Sequence, residues 1–155
     1  MNDRLKILFI FVDGFGLGAN DPAVNPLYNA RFPNLQKLLA HACPLDACLG
    51  VEGLPQSATG QATLLTGINA AKRMGRHIEA FPPTALKKMI RHESLFSKLK
   101  KLGKQCTFAN CYWNVDPTCI PLRRQSVTTA MGGDPFPEQL AANIGALFDR
   151  LFDVL

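Results

Sequence analysis

Ser57 is the residue whose surroundings are best suited to chemistry. It stands in the stretch Gly53-Leu54-Pro55-Gln56-Ser57-Ala58-Thr59-Gly60-Gln61-Ala62-Thr63-Leu64-Leu65-Thr66-Gly67. The stretch reads as a loop, stiffened by Pro55, that feeds a helix. Ser57 takes the N-cap place and Gly67 the place where the helix stops. A hydroxyl there lies among the first backbone N–H groups and at the positive end of the helix dipole. That position favours a phosphate, or an alkoxide that attacks one. The same residues also describe an ordinary capped helix.

Two further groups carry chemical potential. Asp13 ends an apolar run and is followed by Gly14-Phe15-Gly16-Leu17-Gly18. A carboxylate beside glycines that allow close backbone approach suits a hard metal ligand, and equally suits the opening of a turn. Arg73, Arg76 and His77, with Lys72, surround Gly75. Together they would line an anion pocket or form a solvated basic loop.

These residues need a frame. Leu5 to Val12 is a near-continuous apolar run, the pattern of a strand buried on both faces of a parallel sheet. Pro33 opens a helix running to about His41, and Pro44 to Leu49 is a second, short strand candidate. Strand, helix and strand make a right-handed βαβ crossover, which would bring Asp13 and Ser57 together beyond the strand ends. Thr84 and Ser94 each cap a helix, the second stopping at Gly103. Gln105 to Asn110 is a third strand candidate, and Pro137 opens a last helix with an apolar face. The fold expected is α/β, with a mainly parallel sheet flanked by helices and Leu5 to Val12 at or near its centre.

Whole-chain totals narrow the function classes. The 155 residues suggest one domain, or part of a larger one, and 47% hydrophobic content sustains a packed core. A net charge of +5 without aromatic-basic interleaving gives no reason to expect a nucleic-acid partner. The run Leu5 to Val12 is too short to cross a membrane, and no membrane partner is expected. Five cysteines with no C-x-x-C pair argue against a disulfide framework and suggest a reduced, cytoplasmic protein.

In combination, these residues resemble the amino-terminal part of the alkaline phosphatase superfamily. Within it they are closest to the cofactor-independent phosphoglycerate mutase-like metalloenzymes. The resemblance rests on the apolar strand ending in Asp13-Gly14-Phe15-Gly16, on Pro33-Asn34-Leu35 and Leu38, and on Asp46-Ala47-Cys48-Leu49-Gly50. Gly53-Leu54-Pro55, Ser57 and Leu64-Leu65-Thr66-Gly67 complete it. Ser57 stands ten residues before Gly67, the spacing of the superfamily's nucleophile. The likeness covers roughly Leu5 to Asn110 and fades after about Met131, so residues 132–155 are expected to form a divergent C-terminal helix.

The resemblance implies two divalent metal ions, zinc, manganese or magnesium. It implies a serine nucleophile at Ser57 that also binds one metal, and Asp13 as ligand of the other. Thr59 and Gln61 would orient the group at the helix start, and Arg73, Arg76 and His77 would hold a small phosphorylated substrate. The superfamily needs further Asp and His ligands from later in the chain. The three histidines here, His41, His77 and His92, all precede the third strand candidate. The expectation is therefore a partial phosphatase- or mutase-like metalloenzyme domain over residues 1–155. The alternatives are a non-catalytic α/β remnant or anion-binding module, and a metal-free phosphate-ester binder using Arg73, Arg76 and His77.

Overall fold

The computed structural model describes residues 7–106, which fall into two compact units divided between Phe32 and Pro33. The expected parallel sheet does not form among the described residues. Among the described residues there is no strand, only six helices. Residues 7–12 have no regular structure, and Ile7 to Val12 are all exposed, from 43% at Phe11 to 80% at Ile7. Residues 47–50 form a turn, and positions 107–110 of the third strand candidate lie outside the described residues, as do positions 137–155 of the last helix. An apolar run expresses a side-chain preference, whereas a strand exists only beside a hydrogen-bonded neighbour. No second extended segment pairs with this run among the described residues.

The first unit is organised by Asn25. It caps α1 (Pro26–Asn29) by accepting from the Leu27 N–H at 3.0 Å. Its Nδ2 donates to the carbonyls of Leu17 at 2.7 Å and Ala19 at 2.8 Å. Gly18 is fixed by this clasp. Its φ is +59°, and a Cβ there would lie 2.7 Å from Asn25 Nδ2. The stretch Asn20 to Phe32, with Pro22, Asn25 and Pro26, reads from its sequence as a loop, but Asn25 as a cap and Pro26 at the first helical position start a short helix within it.

The second unit begins with α2 (Pro33–Leu39), which has no buried residue. Its core lies further on, in α3 (Ser57–Thr66), α4 (Ala70–Met74) and α5 (Thr84–Glu93), with α6 (Leu95–Lys101) packed on α5. Leu86, Met89 and Ile90 recur at helical spacing and form the buried stripe of α5. They meet Ala58, Ala62 and Leu65 of α3, and Ala70 of α4. Alanines on three of these positions let the helix backbones approach closely. Leu86 and Ile90 are fully buried, each contributing about 1.5–3 kcal/mol of apolar burial. Ser94 caps α6 by accepting from the Ser97 N–H at 3.2 Å. The helices expected after Pro33, around Ser57, after Thr84 and after Ser94 all form, with ends within two residues of the sequence reading.

Candidate functional site

Ser57 lies one residue inside α3 rather than at its cap. Gln56 is the N-cap, and its side chain makes no capping hydrogen bond. The reason is a backbone substitute: the Ala58 N–H donates to the Ile78 carbonyl at 3.0 Å. One of the first N–H groups of the helix is thus satisfied from outside it. The first turn of α3 carries no acidic residue, so no carboxylate of its own neutralises the positive end of the dipole. Gly60 and Gln61 follow Ser57 by three and four residues and share its helix face. Nothing within 4 Å would meet a Cβ on Gly60, so the surface beside Ser57 is open there.

Thr59 is turned the other way and is fully buried. Its hydroxyl donates to the Gln56 carbonyl at 3.3 Å and accepts from the Ile78 N–H at 3.2 Å. Two other threonines of the helix repeat this arrangement. Thr63 donates to Thr59 O at 2.8 Å and accepts from the Ala70 N–H at 3.0 Å. Thr66 donates to Ala62 O at 2.6 Å and accepts from the Ile68 N–H at 3.1 Å. Each hydroxyl binds its own helix and the chain that returns along it. This function of the threonines is not visible in a motif, although the four- and three-residue spacing places them on one face.

The loop before Ser57 is held from two sides. Leu49 has φ +57° and Gly50 φ +68°, so the chain passes through two consecutive left-handed residues. The Asn69 side chain donates to the Leu49 carbonyl at 2.8 Å, while its Oδ1 caps α4 by accepting from the Lys72 N–H at 2.9 Å. His77 Nε2 lies 3.2 Å from the Val51 carbonyl oxygen. A carbonyl can only accept, so this nitrogen carries the proton. Sequence reasoning placed His77 with Arg73 and Arg76 around an anion and did not single out Asn69. In the structure, His77 is half-buried against the loop, while Arg73 and Arg76 are exposed. An Asn before Ala70-Ala71 is a cap signal, and it is the one cue by which Asn69 could have been found.

Asp13 belongs to the first unit and Ser57 to the second. The βαβ crossover from which their proximity follows is not formed among the described residues. Asp13 is exposed in a turn with Gly14, whose N–H lies 3.1 Å from Asp13 Oδ1. Near the loop, the Cys48 thiol is pushed above its ordinary range, first by desolvation and then by the Asp46 carboxylate, through its charge and a hydrogen bond. Asp46 Oδ1 also accepts from the Cys48 N–H at 2.9 Å.

Among the described residues, no three His, Cys, Asp or Glu side chains converge to hold a metal ion. No protein-family model matches the chain, and comparison with curated proteins and with solved structures gives no match.

Proposed function

We propose that this chain carries the serine site of a phosphoryl-transfer protein, with Ser57 as the group that receives the phosphoryl from a small phosphorylated substrate. The observation that carries the reading is the start of α3. A serine lies in the first turn of a ten-residue helix with no acid in that turn and no capping hydrogen bond from the Gln56 side chain. Incoming negative charge is favoured at such an end by about 0.3–2 kcal/mol. Gln61 on the same face would orient the group, and the open surface at Gly60 would admit it. The resemblance of the stretch Gly53 to Gly67 to the alkaline phosphatase superfamily supports the assignment of Ser57 as nucleophile.

The pair of divalent ions that the resemblance implies, with Asp13 among their ligands, belongs to the proposal on the strength of that resemblance alone. The described residues do not by themselves supply a ligand cluster that fits such ions. The step assigned to the chain is in-line attack of the Ser57 oxygen on phosphorus. The bond from phosphorus to the leaving oxygen breaks as phosphoserine forms, and the serine proton leaves to solvent. Helix-end electrostatics fall far short of the roughly 8 kcal/mol or more that efficient turnover requires. Slow, stoichiometric modification is therefore expected, not rapid release of phosphate.

The test is incubation of the full chain with an aryl phosphate and added zinc, manganese or magnesium, followed by mass analysis of the peptide containing residue 57. Phosphoserine at Ser57, absent from Ser57→Ala, is the expected result. An unmodified serine in a chain that still binds inorganic phosphate at α3 would instead identify a non-catalytic anion-binding module. Robust turnover abolished by Ser57→Ala would show that the later ligands of the superfamily are dispensable.

A further inference from the structure

We infer that His77 and Asn69 are positioning residues for Ser57, each holding one carbonyl of the loop that delivers the serine. The functional meaning of this inference rests on the serine reading above. The loop from Leu49 to Gln56 is difficult to hold by its own backbone. Leu49, Gly50 and Gly53 all have positive φ, at +57°, +68° and +107°. A non-glycine residue in that region costs about 1–2 kcal/mol, and glycine adds conformational freedom that must be removed. The loop's own backbone supplies turn bonds at its start, from the Leu49 N–H to Asp46 O at 3.3 Å and from the Val51 N–H to Cys48 O at 3.0 Å, and no helix or ladder bonds. The further restraint comes from later in the chain, at Leu49 O from Asn69 and at Val51 O from His77.

The neighbour of His77 extends the effect through the serine. Ile78 accepts from the Ala58 N–H and donates to the Thr59 hydroxyl. Two consecutive residues thus grip the chain on both sides of Ser57, at Val51 before it and at Ala58 and Thr59 after it. Displacement of His77–Ile78 would move the loop and the helix start together. Asn69 adds a third hold at Leu49 while its other amide atom caps α4.

This double use of Asn69 permits a clean test. Asn69→Asp keeps an acceptor for the Lys72 N–H, so the cap survives, but it removes the donor to Leu49 O. His77→Gln places an amide donor where Nε2 stood, whereas His77→Ala removes it. The readout is the backbone order parameter of Gly53 and Leu54 in the full chain, with Ile90 as the core reference. The wild type and His77→Gln are expected near about 0.85 at all three residues, whereas Asn69→Asp and His77→Ala drop Gly53 and Leu54 below about 0.6 and leave Ile90 unchanged. The rate of Ser57 modification should fall about 10- to 100-fold in the same two variants and recover in His77→Gln. Unchanged loop order in His77→Ala and Asn69→Asp, or equal loss at Ile90, overturns the inference. So does a loosened loop that leaves the Ser57 rate intact. If wild-type Ser57 is never modified, the serine reading fails by itself, and the order parameters still decide whether His77 and Asn69 hold the loop.

Discussion

The Thr59 hydroxyl joins the Ile78 amide at 3.2 Å, and the Ile78 carbonyl in turn receives the Ala58 amide at 3.0 Å. One residue of the returning chain is thus bound twice to the first turn of α3. Thr59→Val preserves shape and removes the acceptor, leaving the Ile78 N–H without its partner. The expected loss is about 1–3 kcal/mol, measured by denaturant unfolding. Thr59→Ser keeps the hydroxyl and should cost only about 0.8 kcal/mol for the lost methyl. A Val variant as stable as the Ser variant would refute the importance of this link.

Gly60 and Gly67 should respond oppositely to alanine. Gly60 sits in the interior of α3 with open space where a Cβ would project, so Gly60→Ala should stabilise by about 0.5–1 kcal/mol. The new methyl stands beside Ser57 and should slow modification of the serine. Gly67 ends the same helix at φ +74°, donating its N–H to Thr63 O. Gly67→Ala meets no atom but must adopt a left-handed backbone, costing about 1–2 kcal/mol. Thermal melting of the two variants reads both signs.

Lys98 sits at the other end of α3. Its Nζ donates to the Thr66 carbonyl at 2.9 Å and lies 3.8 Å from Glu93 Oε2, with both side chains 48% exposed. An exposed ion pair of that length contributes little, whereas a cation on the last carbonyl of a helix contributes about 0.3–1 kcal/mol. Lys98→Met should therefore destabilise by roughly that amount, and Glu93→Gln by about 0–0.3 kcal/mol. Equal losses in a denaturant titration would assign the stabilisation to the ion pair instead.

Cys48 should be a slow nucleophile. Only the thiolate attacks, and a raised pKa lowers its fraction at any given pH, moving the alkylation profile to higher pH. Asp46→Asn removes the charge while retaining an acceptor for the Cys48 N–H. The profile should then shift back toward lower pH, read by iodoacetamide labelling of Cys48 across a pH series. No shift would mean that desolvation alone sets the thiol.

The helices were legible in the sequence because their signals are local. Pro33, Ser94 and Gly67 mark ends by their own backbone preferences, and Leu86, Met89 and Ile90 mark a face by spacing. Ser57 was placed one residue too early in the helix, because the capping acceptor comes from Ile78, 20 residues after Ala58 in the chain. Ile7 to Val12 was misread for a related reason. Its composition suits a buried strand, but pairing is a property of two segments, and only one of them is written in the run. Ser57 was singled out through the helix start, whereas His77 was read by its charge and its basic neighbours. Its actual partner is a backbone carbonyl, which has no signature in the sequence.

The three threonine links of α3 also impose an order on assembly. Thr66 reaches Ile68 across two residues, Thr63 reaches Ala70 across seven and Thr59 reaches Ile78 across nineteen. The loops are nested, so each closure begins from ends that the previous one has already drawn together. Each roughly threefold lengthening adds only about 1 kcal/mol of closure entropy, and less once the inner loop is shut. The lacing can therefore run in small steps from the C-terminal end of the helix towards its start. On that route the turn that carries Ser57 is the last to be tied.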